Sequence, residues 1–157
     1  MSEHLWLNLG CSDNLLEGFV NVDKEFEPTL GTFTILAADL REEWPWLDST
    51  VDFILARDII EHLSDKIFTM NEAWRILKPN GQILIEVPTT DGKGAFQDPA
   101  HVSFWNERSF LYFTAFNVYR ERFAKSYGIK AAFRVISQNV EQTDDGPKLK
   151  IRLEALK

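Results

Sequence analysis

Five short apolar runs, each closed by a turn residue or a carboxylate, occupy the first 88 residues of the chain. Leu5-Trp6-Leu7-Asn8-Leu9 ends on Gly10, and Phe19-Val20-Asn21-Val22 ends on Asp23. Phe33 to Ala38 contains β-branched Thr34 and Ile35 and ends on Asp39-Leu40. Val51 to Ala56 follows a Trp44-Pro45-Trp46 interruption and an Asp48-Ser49-Thr50 turn, and Gln82 to Val87 is closed by Pro88. Runs of this length between turn signals predict strands. Their continuous rather than alternating apolar character suits a parallel sheet covered on both faces.

A different period appears between the fourth and fifth runs. Leu63, Ile67, Met70, Trp74 and Leu77 recur at spacings of 4, 3, 4 and 3, which predicts a helix with one apolar stripe packed on the sheet. Lys78-Pro79-Asn80-Gly81 supplies its stop. A second helix is expected over Asn106 to Lys125, capped by Asn106, with Phe110, Phe113, Phe116 and Phe123 inward. The tail reads as a hairpin: Ala132 to Gln142, a turn at Thr143-Asp144-Asp145-Gly146-Pro147, then Lys148 to Leu156.

Strands alternating with helices and ending in a hairpin predict one domain over residues 1–157. Its class is α/β: a Rossmann-like doubly wound sheet, mostly parallel, with a C-terminal antiparallel hairpin, in three α/β/α layers. One connection is short. Only the nine residues Gly10 to Gly18 join the first two strands, where a right-handed crossover usually takes about a dozen or more. The helix normally found there must be absent or reduced to a turn.

Composition narrows the setting. Over 157 residues the chain is 45% hydrophobic and 26% charged, as globular domains are. No apolar run is long enough to span a bilayer, and Met-Ser-Glu-His carries no signal-peptide pattern; a cytoplasmic location is expected. The single cysteine, Cys11, excludes an internal disulfide and a cysteine-built zinc site. A net charge of −7 argues against nucleic acid as the partner. Homo-oligomerisation or a partner subunit stays open.

In a doubly wound sheet, ligands bind beyond the carboxyl ends of the strands. Those ends carry Gly10-Cys11-Ser12-Asp13, Asp23, Asp39-Leu40 and Arg57-Asp58. A glycine after the first strand lets the backbone approach a ligand, and a carboxylate closing the second can accept from ribose hydroxyls. The later glycines of a dinucleotide fingerprint are missing, which favours a nucleoside ligand without pyrophosphate. Asp39 reads equally well as a cap of the following turn. Cys11 reads as a small buried filler.

With these residues in place, the chain resembles the class I S-adenosylmethionine-dependent methyltransferase family, in its small, methyltransferase type 11-like branch with a short first crossover. The resemblance rests on Leu7-Asn8-Leu9-Gly10-Cys11, Gly18-Phe19-Val20-Asn21-Val22-Asp23 and Ala38-Asp39-Leu40. It continues through Val51-Asp52-Phe53-Ile54 with Ile60-Glu61-His62-Leu63, and Arg75-Ile76-Leu77-Lys78-Pro79-Asn80-Gly81. It implies S-adenosyl-L-methionine as cofactor, with Gly10, Cys11 and Ser12 under the methionine part and Asp23 on the ribose. Asp39 and Leu40 would address the adenine, and Arg57 would lie near the methionyl portion. Ser12 and Asn80 stand where the family commonly has glycine.

Methyl transfer from a sulfonium needs alignment above all, and a hydroxyl acceptor also needs a base. His101, in the loop Gln97-Asp98-Pro99-Ala100-His101-Val102-Ser103-Phe104-Trp105, is the candidate catalytic residue, against a loop-ordering role. Phe104 and Trp105 either wall an acceptor pocket or anchor that loop. His62 reads as a capping or packing residue. No metal site is expected: Asp58, Glu61 and His62 lie at helical spacing, but neighbours such as Glu61 and His62 point about 100° apart on a helix. The acceptor implied is a small molecule or carbohydrate-like compound. The alternatives are a non-catalytic cofactor-binding or partner subunit, and an enzyme that cleaves S-adenosylmethionine without an acceptor.

Overall fold

The computed structural model describes residues 4–25 and 31–157; the first three residues, on which part of the reading of the chain start rests, lie outside these. Seven strands form one sheet in the order β3-β2-β1-β4-β5-β7-β6: β1 (Trp6–Leu9), β2 (Val20–Asp23), β3 (Thr34–Ala37), β4 (Val51–Arg57), β5 (Leu77–Pro88), β6 (Phe133–Thr143) and β7 (Gly146–Ala155). The first five run parallel, and β7 pairs antiparallel with both β5 and β6. The doubly wound Rossmann-like class with its C-terminal hairpin is therefore present. The order reverses at β1, whose neighbours are β2 and β4, and that crevice is where such sheets bind ligands.

Helix α1 (Lys66–Ile76) forms as the periodicity requires. Asp65 caps it by accepting from Phe68 N at 2.8 Å. Met70, Ala73 and Ile76 bury against Leu7, Leu9, Ile54, Ile83, Ile85 and the β7 residues Leu149, Ile151 and Leu153, one contiguous core. The chain leaves the helix directly into β5, and Asn80 takes the left-handed turn (φ 64) that a glycine would otherwise supply.

The long helix expected over Asn106 to Lys125 is two pieces. Asn106 does cap, accepting from Arg108 N and Ser109 N, but what it opens is a 3-10 helix, Glu107–Tyr112. Residues 113–115 then turn to the sheet, with Ala115 N donating to Phe133 O and Phe133 N to Phe113 O. A second cap, Asn117, opens α3 (Val118–Tyr127; a short α2, Gly94–Gln97, precedes it in the chain), which Gly128 ends in the left-handed conformation. Phe110 and Phe113 are buried as expected. Phe116 lies in the break, 92% exposed instead of inward: pairing with β6 outweighed helix continuation.

The two faces of the sheet are covered unequally. α1, the 3-10 helix 107–112 and α3 all contribute to the one core cluster. On the opposite face, among the described residues, the cover over β1 and β2 is the loop between them. Asn8 Nδ2 donates to Asn14 O, and the Asn21 amide bonds to Leu16 N and Leu16 O. Two buried amides thus tie down the segment that has no helix. Further along this face Trp6 (41% exposed) packs with Phe19 and Phe53. Beyond them lies an ion-pair lattice: Arg57–Glu86, Lys150–Glu86, Lys150–Glu141 and Arg134–Glu154. β5 and β7 accordingly alternate buried and part-exposed residues, and for β5 this departs from the two-sided burial expected of it.

Candidate functional site

A cleft of about 270 Å³ opens at the carboxyl ends of β1, β2 and β3. Gly10, Asp23, Asp39 and Leu40 line it together, with Ala38, Ile59 and Leu63 as apolar surface, and Lys24, Arg41, His62 and Ala100 complete the lining. Four of the seven expected cofactor contacts thus share one cavity. Its floor is apolar and its carboxylates lie where strands end, a fit for a flat heterocycle carried on a hydroxylated ring.

The backbone explains the glycine. Gly10 has φ +63, and a Cβ there would sit 2.6 Å from the Ile59 side chain. Close packing against Ile59, together with the left-handed turn, is what excludes a side chain at residue 10. Ser12 (φ 45) keeps the backbone that a glycine would have. Its N–H donates to Asp23 Oδ2 at 2.9 Å, while Asp23 Oδ1 accepts from Glu25 N at 3.3 Å; a carboxylate has about four acceptor sites, so capacity for hydroxyl donors remains. Cys11 is buried, and burial followed by the neighbouring Asp23 pushes its thiol above the ordinary value, which suits a filler and not a nucleophile. Arg57 points away from the cleft, to Glu86 at 3.5 Å on the other sheet face. Asp39 is held by Arg41 through Nε (2.9 and 3.1 Å) and the backbone N–H (3.0 Å). The guanidinium lowers its carboxyl to about 2. Here the cap-like turn and the cleft position coexist.

On the far side of His62 lies a second cavity of about 240 Å³, lined by Asp58, Glu61, His62, Asp98, His101 and Lys148 among others. A 3-10 turn, Ile60–His62, forms its inner wall. The loop 98–105 is laced to that turn: Val102 N and Ser103 N donate to Glu61 O, Ser103 Oγ donates to Ile60 O, and His62 Nδ1 meets Ala100 O at 3.1 Å. His101 is thereby buried beside Glu61, its Nδ1 3.0 Å from Ala95 O and its Nε2 4.0 Å from Glu61 Oε1 and 3.8 Å from Asp98 Oδ2. The His62 and His101 rings meet edge-on, 4.9 Å between centroids.

Glu61, set aside as a metal ligand on helical geometry, is the most unusual group among the described residues. It is 3% exposed, and neither carboxyl oxygen has a hydrogen-bond partner among the described residues. Burial, with Asp58 nearby, pushes it up to about 7; its own backbone N–H opposes the shift without reaching hydrogen-bond geometry. The signal in the sequence was a glutamate inside the apolar stretch Ile59-Ile60-Glu61.

The acceptor-side aromatics separate. Trp105 is 0% exposed, donates to Ser103 Oγ and stacks on Phe110, so it anchors the loop and cannot wall a pocket. Phe104 is 40% exposed and stacks on Phe96. Its carbonyl takes a hydrogen bond from Lys66 Nζ, and it faces a shallow groove outside both cavities.

The comparisons with known proteins agree with this geometry. A family model described as a methyltransferase domain matches residues 14–85. The fold is similar to that of a SAM-dependent methyltransferase from Methanosarcina mazei (12% identity, 99% of this chain and 94% of that chain, TM-score 0.66). It is also similar to a structure from Haloferax volcanii described as a complex of the Trm112 methyltransferase activator with the putative methyltransferase (15%, 99% and 84%, 0.67). A third is the N-methyltransferase NodS from Bradyrhizobium japonicum (13%, 98% and 86%, 0.62). No curated protein matches the sequence. The fold is the Rossmann-like α/β architecture of methyltransferases. Over residues 14–85 and in its fold the chain is similar to class I S-adenosylmethionine-dependent methyltransferases. No helix among the described residues is long and apolar enough to cross a membrane.

Proposed function

We propose that the protein is a cytoplasmic enzyme that transfers a methyl group from S-adenosyl-L-methionine to a small-molecule or carbohydrate-like acceptor. The observation that carries this reading is the convergence of Gly10, Asp23, Asp39 and Leu40 on one cleft at the switch point of the sheet. Asp23 accepts from the ribose hydroxyls, the Gly10 backbone borders the methionyl portion, and Leu40 with Leu63 and Ala38 covers the adenine face. Asp39, already neutralised by Arg41, addresses the adenine edge through the turn it stabilises. Cys11 and Ser12 act from behind the loop, and Arg57 drops out of the contact set.

When bound, the cofactor supplies an electrophilic methyl whose bond to sulfur breaks as the acceptor's lone pair attacks in line. The chain's own task is to hold the acceptor on the far side of that carbon and exclude water. The second cavity is the place for the acceptor, because His62 belongs to the walls of both cavities. His101 is the acceptor-side residue there.

Calorimetric titration of the full chain with S-adenosylmethionine and S-adenosylhomocysteine tests the reading. Saturable binding is expected; no binding at millimolar ligand overturns it. Incubation with S-adenosylmethionine alone, followed by mass spectrometry, separates transfer from cleavage. A second reading, a cofactor-binding subunit working with a partner, draws on the thin layer over Trp6, Phe19 and Phe53 and on the Haloferax structure's being a complex with an activator. Methyl transfer by the isolated chain would exclude it.

A further inference from the structure

We propose that Glu61, His62 and His101 form a binding site for one divalent first-row transition ion, with open coordination positions facing the second cavity. Adjacent residues diverge on an α-helix, and that argument counted against joint ligation by Glu61 and His62. In the structure they lie on a 3-10 turn, where neighbours diverge by about 120°, yet their ligand atoms converge at the end of their side chains once the laced loop brings His101 to them. One ligand atom from each of the three residues falls within 4.8 Å of the others.

Three independent features point to an ion. First, the Glu61 carboxyl is buried and both of its oxygens lack a donor. Burying such a group is unfavourable unless it is paired or coordinated. Second, the histidines are already oriented as ligands. His62 Nδ1 faces the Ala100 carbonyl and His101 Nδ1 the Ala95 carbonyl. A carbonyl only accepts, so each Nδ1 carries the proton and each Nε2 presents its lone pair; metal-ligating histidines are commonly fixed in this way. Third, the donor set is two imidazoles and one carboxylate with room beside it, the composition that suits a transition ion keeping open positions.

The distances require only side-chain adjustment. Two ligands on one ion, each at ~2.0–2.2 Å, lie roughly 3–4 Å apart, and His101 Nε2 stands 4.0 Å from Glu61 Oε1. Among the described residues no cationic side chain hydrogen-bonds the Glu61 carboxyl. Lys148 is committed to Asp58 at 2.8 Å, and Asp98 adds a further acidic oxygen 3.8 Å from His101 Nε2. The open positions would take an oxygen of the acceptor, which makes that acceptor an oxygen nucleophile. Only this last step rests on the proposed methyl transfer; the ion site itself does not. His101 then touches the acceptor through the ion and is not a free base.

The test uses the full chain stripped with a chelator and titrated with Zn2+, Mn2+ and Co2+ by calorimetry, with Co2+ also followed by its visible d–d absorption. One ion per chain is expected, with Co2+ showing the absorption of a site bearing nitrogen and oxygen ligands. Glu61→Gln and His101→Gln should each weaken binding about tenfold or more while leaving S-adenosylhomocysteine affinity in place. Circular dichroism establishes that each variant folds, and either variant alone suffices if the other does not. The proposal is overturned if none of the three ions binds saturably, or if both folded variants bind as the wild type does. Titration of the metal-free protein with S-adenosylhomocysteine reports on the methyltransferase reading separately, so either proposal can fail without the other.

Discussion

Asp23 Oδ2 accepts the Ser12 N–H at 2.9 Å, so the carboxylate that closes β2 also fastens the loop leaving β1. One side chain therefore shapes the Gly10 end of the cleft and lines it. The two roles can be separated, because the fastening needs only an acceptor while a ribose contact gains from charge.

Asp23→Ala should weaken S-adenosylhomocysteine binding by roughly ten- to a hundredfold, the ~1.5–3 kcal/mol of hydrogen bonds to a charged group. Asp23→Asn keeps an oxygen for Ser12 and should preserve the melting temperature while still losing affinity. Calorimetry and thermal melts check both. Unchanged affinity in the two variants would mean that the ribose is held elsewhere.

Gly10→Ala should destabilise the fold through two separable terms. The left-handed backbone costs about 1–2 kcal/mol with a Cβ present, and that Cβ would collide with Ile59 at 2.6 Å. In urea unfolding, the Ile59→Ala exchange should relieve the second term, so that the double variant is more stable than the sum of single effects by about 1 kcal/mol. Strict additivity would show that Ile59 is not the reason for glycine here.

Asn21 does the work of the helix that the short first crossover lacks. Fully buried, it accepts from Asn8 Nδ2 at 2.9 Å and Leu16 N at 2.8 Å, and donates to Leu16 O at 3.0 Å and Thr34 O at 3.2 Å. Asn21→Ala strands several of these groups at once, and a loss of about 2–4 kcal/mol is expected in urea titrations. A loss below about 1 kcal/mol would show that water replaces the amide.

Trp105 and Phe104, adjacent in sequence, should behave oppositely. Trp105→Ala removes a side chain that is fully buried and stacked on Phe110, at a cost of about 3–5 kcal/mol. Phe104→Ala, at a half-exposed ring, should cost under about 1 kcal/mol. A stable Trp105→Ala protein that has lost only turnover would return this residue to the acceptor side.

The legibility of the chain divides by the range of the interactions involved. The strands, α1 and the hairpin follow from local periodicity and turn residues, and the strand-end positions of Gly10, Asp23, Asp39 and Leu40 follow from the topology those elements imply. What local pattern missed was decided across the sheet. The helix expected at Asn106 breaks because Phe113 and Ala115 pair with Phe133, a partner nearly twenty residues away. Arg57 leaves the cleft because Glu86 stands beside it on the next strand. The meeting of Glu61 with His101 needs forty residues of intervening chain to fold back, and no spacing rule within one helix could reveal it.

The pH dependence of stability should follow Glu72. Its oxygens take Arg75 Nε and a terminal guanidinium nitrogen, each at 2.7 Å, and the Trp44 N–H at 2.8 Å. Burial pushes this carboxyl up, but Arg75 and the Trp44 N–H together outweigh burial and hold it below the ordinary value of 4.5. Because the folded value is the lower one, the unfolded chain takes up the proton first as pH falls. The stabilisation is therefore complete above the ordinary carboxylate range and is lost as pH drops through the depressed folded value. Urea midpoints measured from about pH 7 down to about pH 3 should decline in wild type. They should decline less steeply in Glu72→Gln, by up to about 1.4 kcal/mol per pH unit in that window. The exposed Asp39–Arg41 pair adds little to this slope, since solvent screens it. Parallel curves for the two proteins would remove Glu72 from the acid transition, while a flatter variant curve with lower stability at neutral pH identifies the Glu72–Arg75 pair as what holds the Trp44–Asp48 segment against α1.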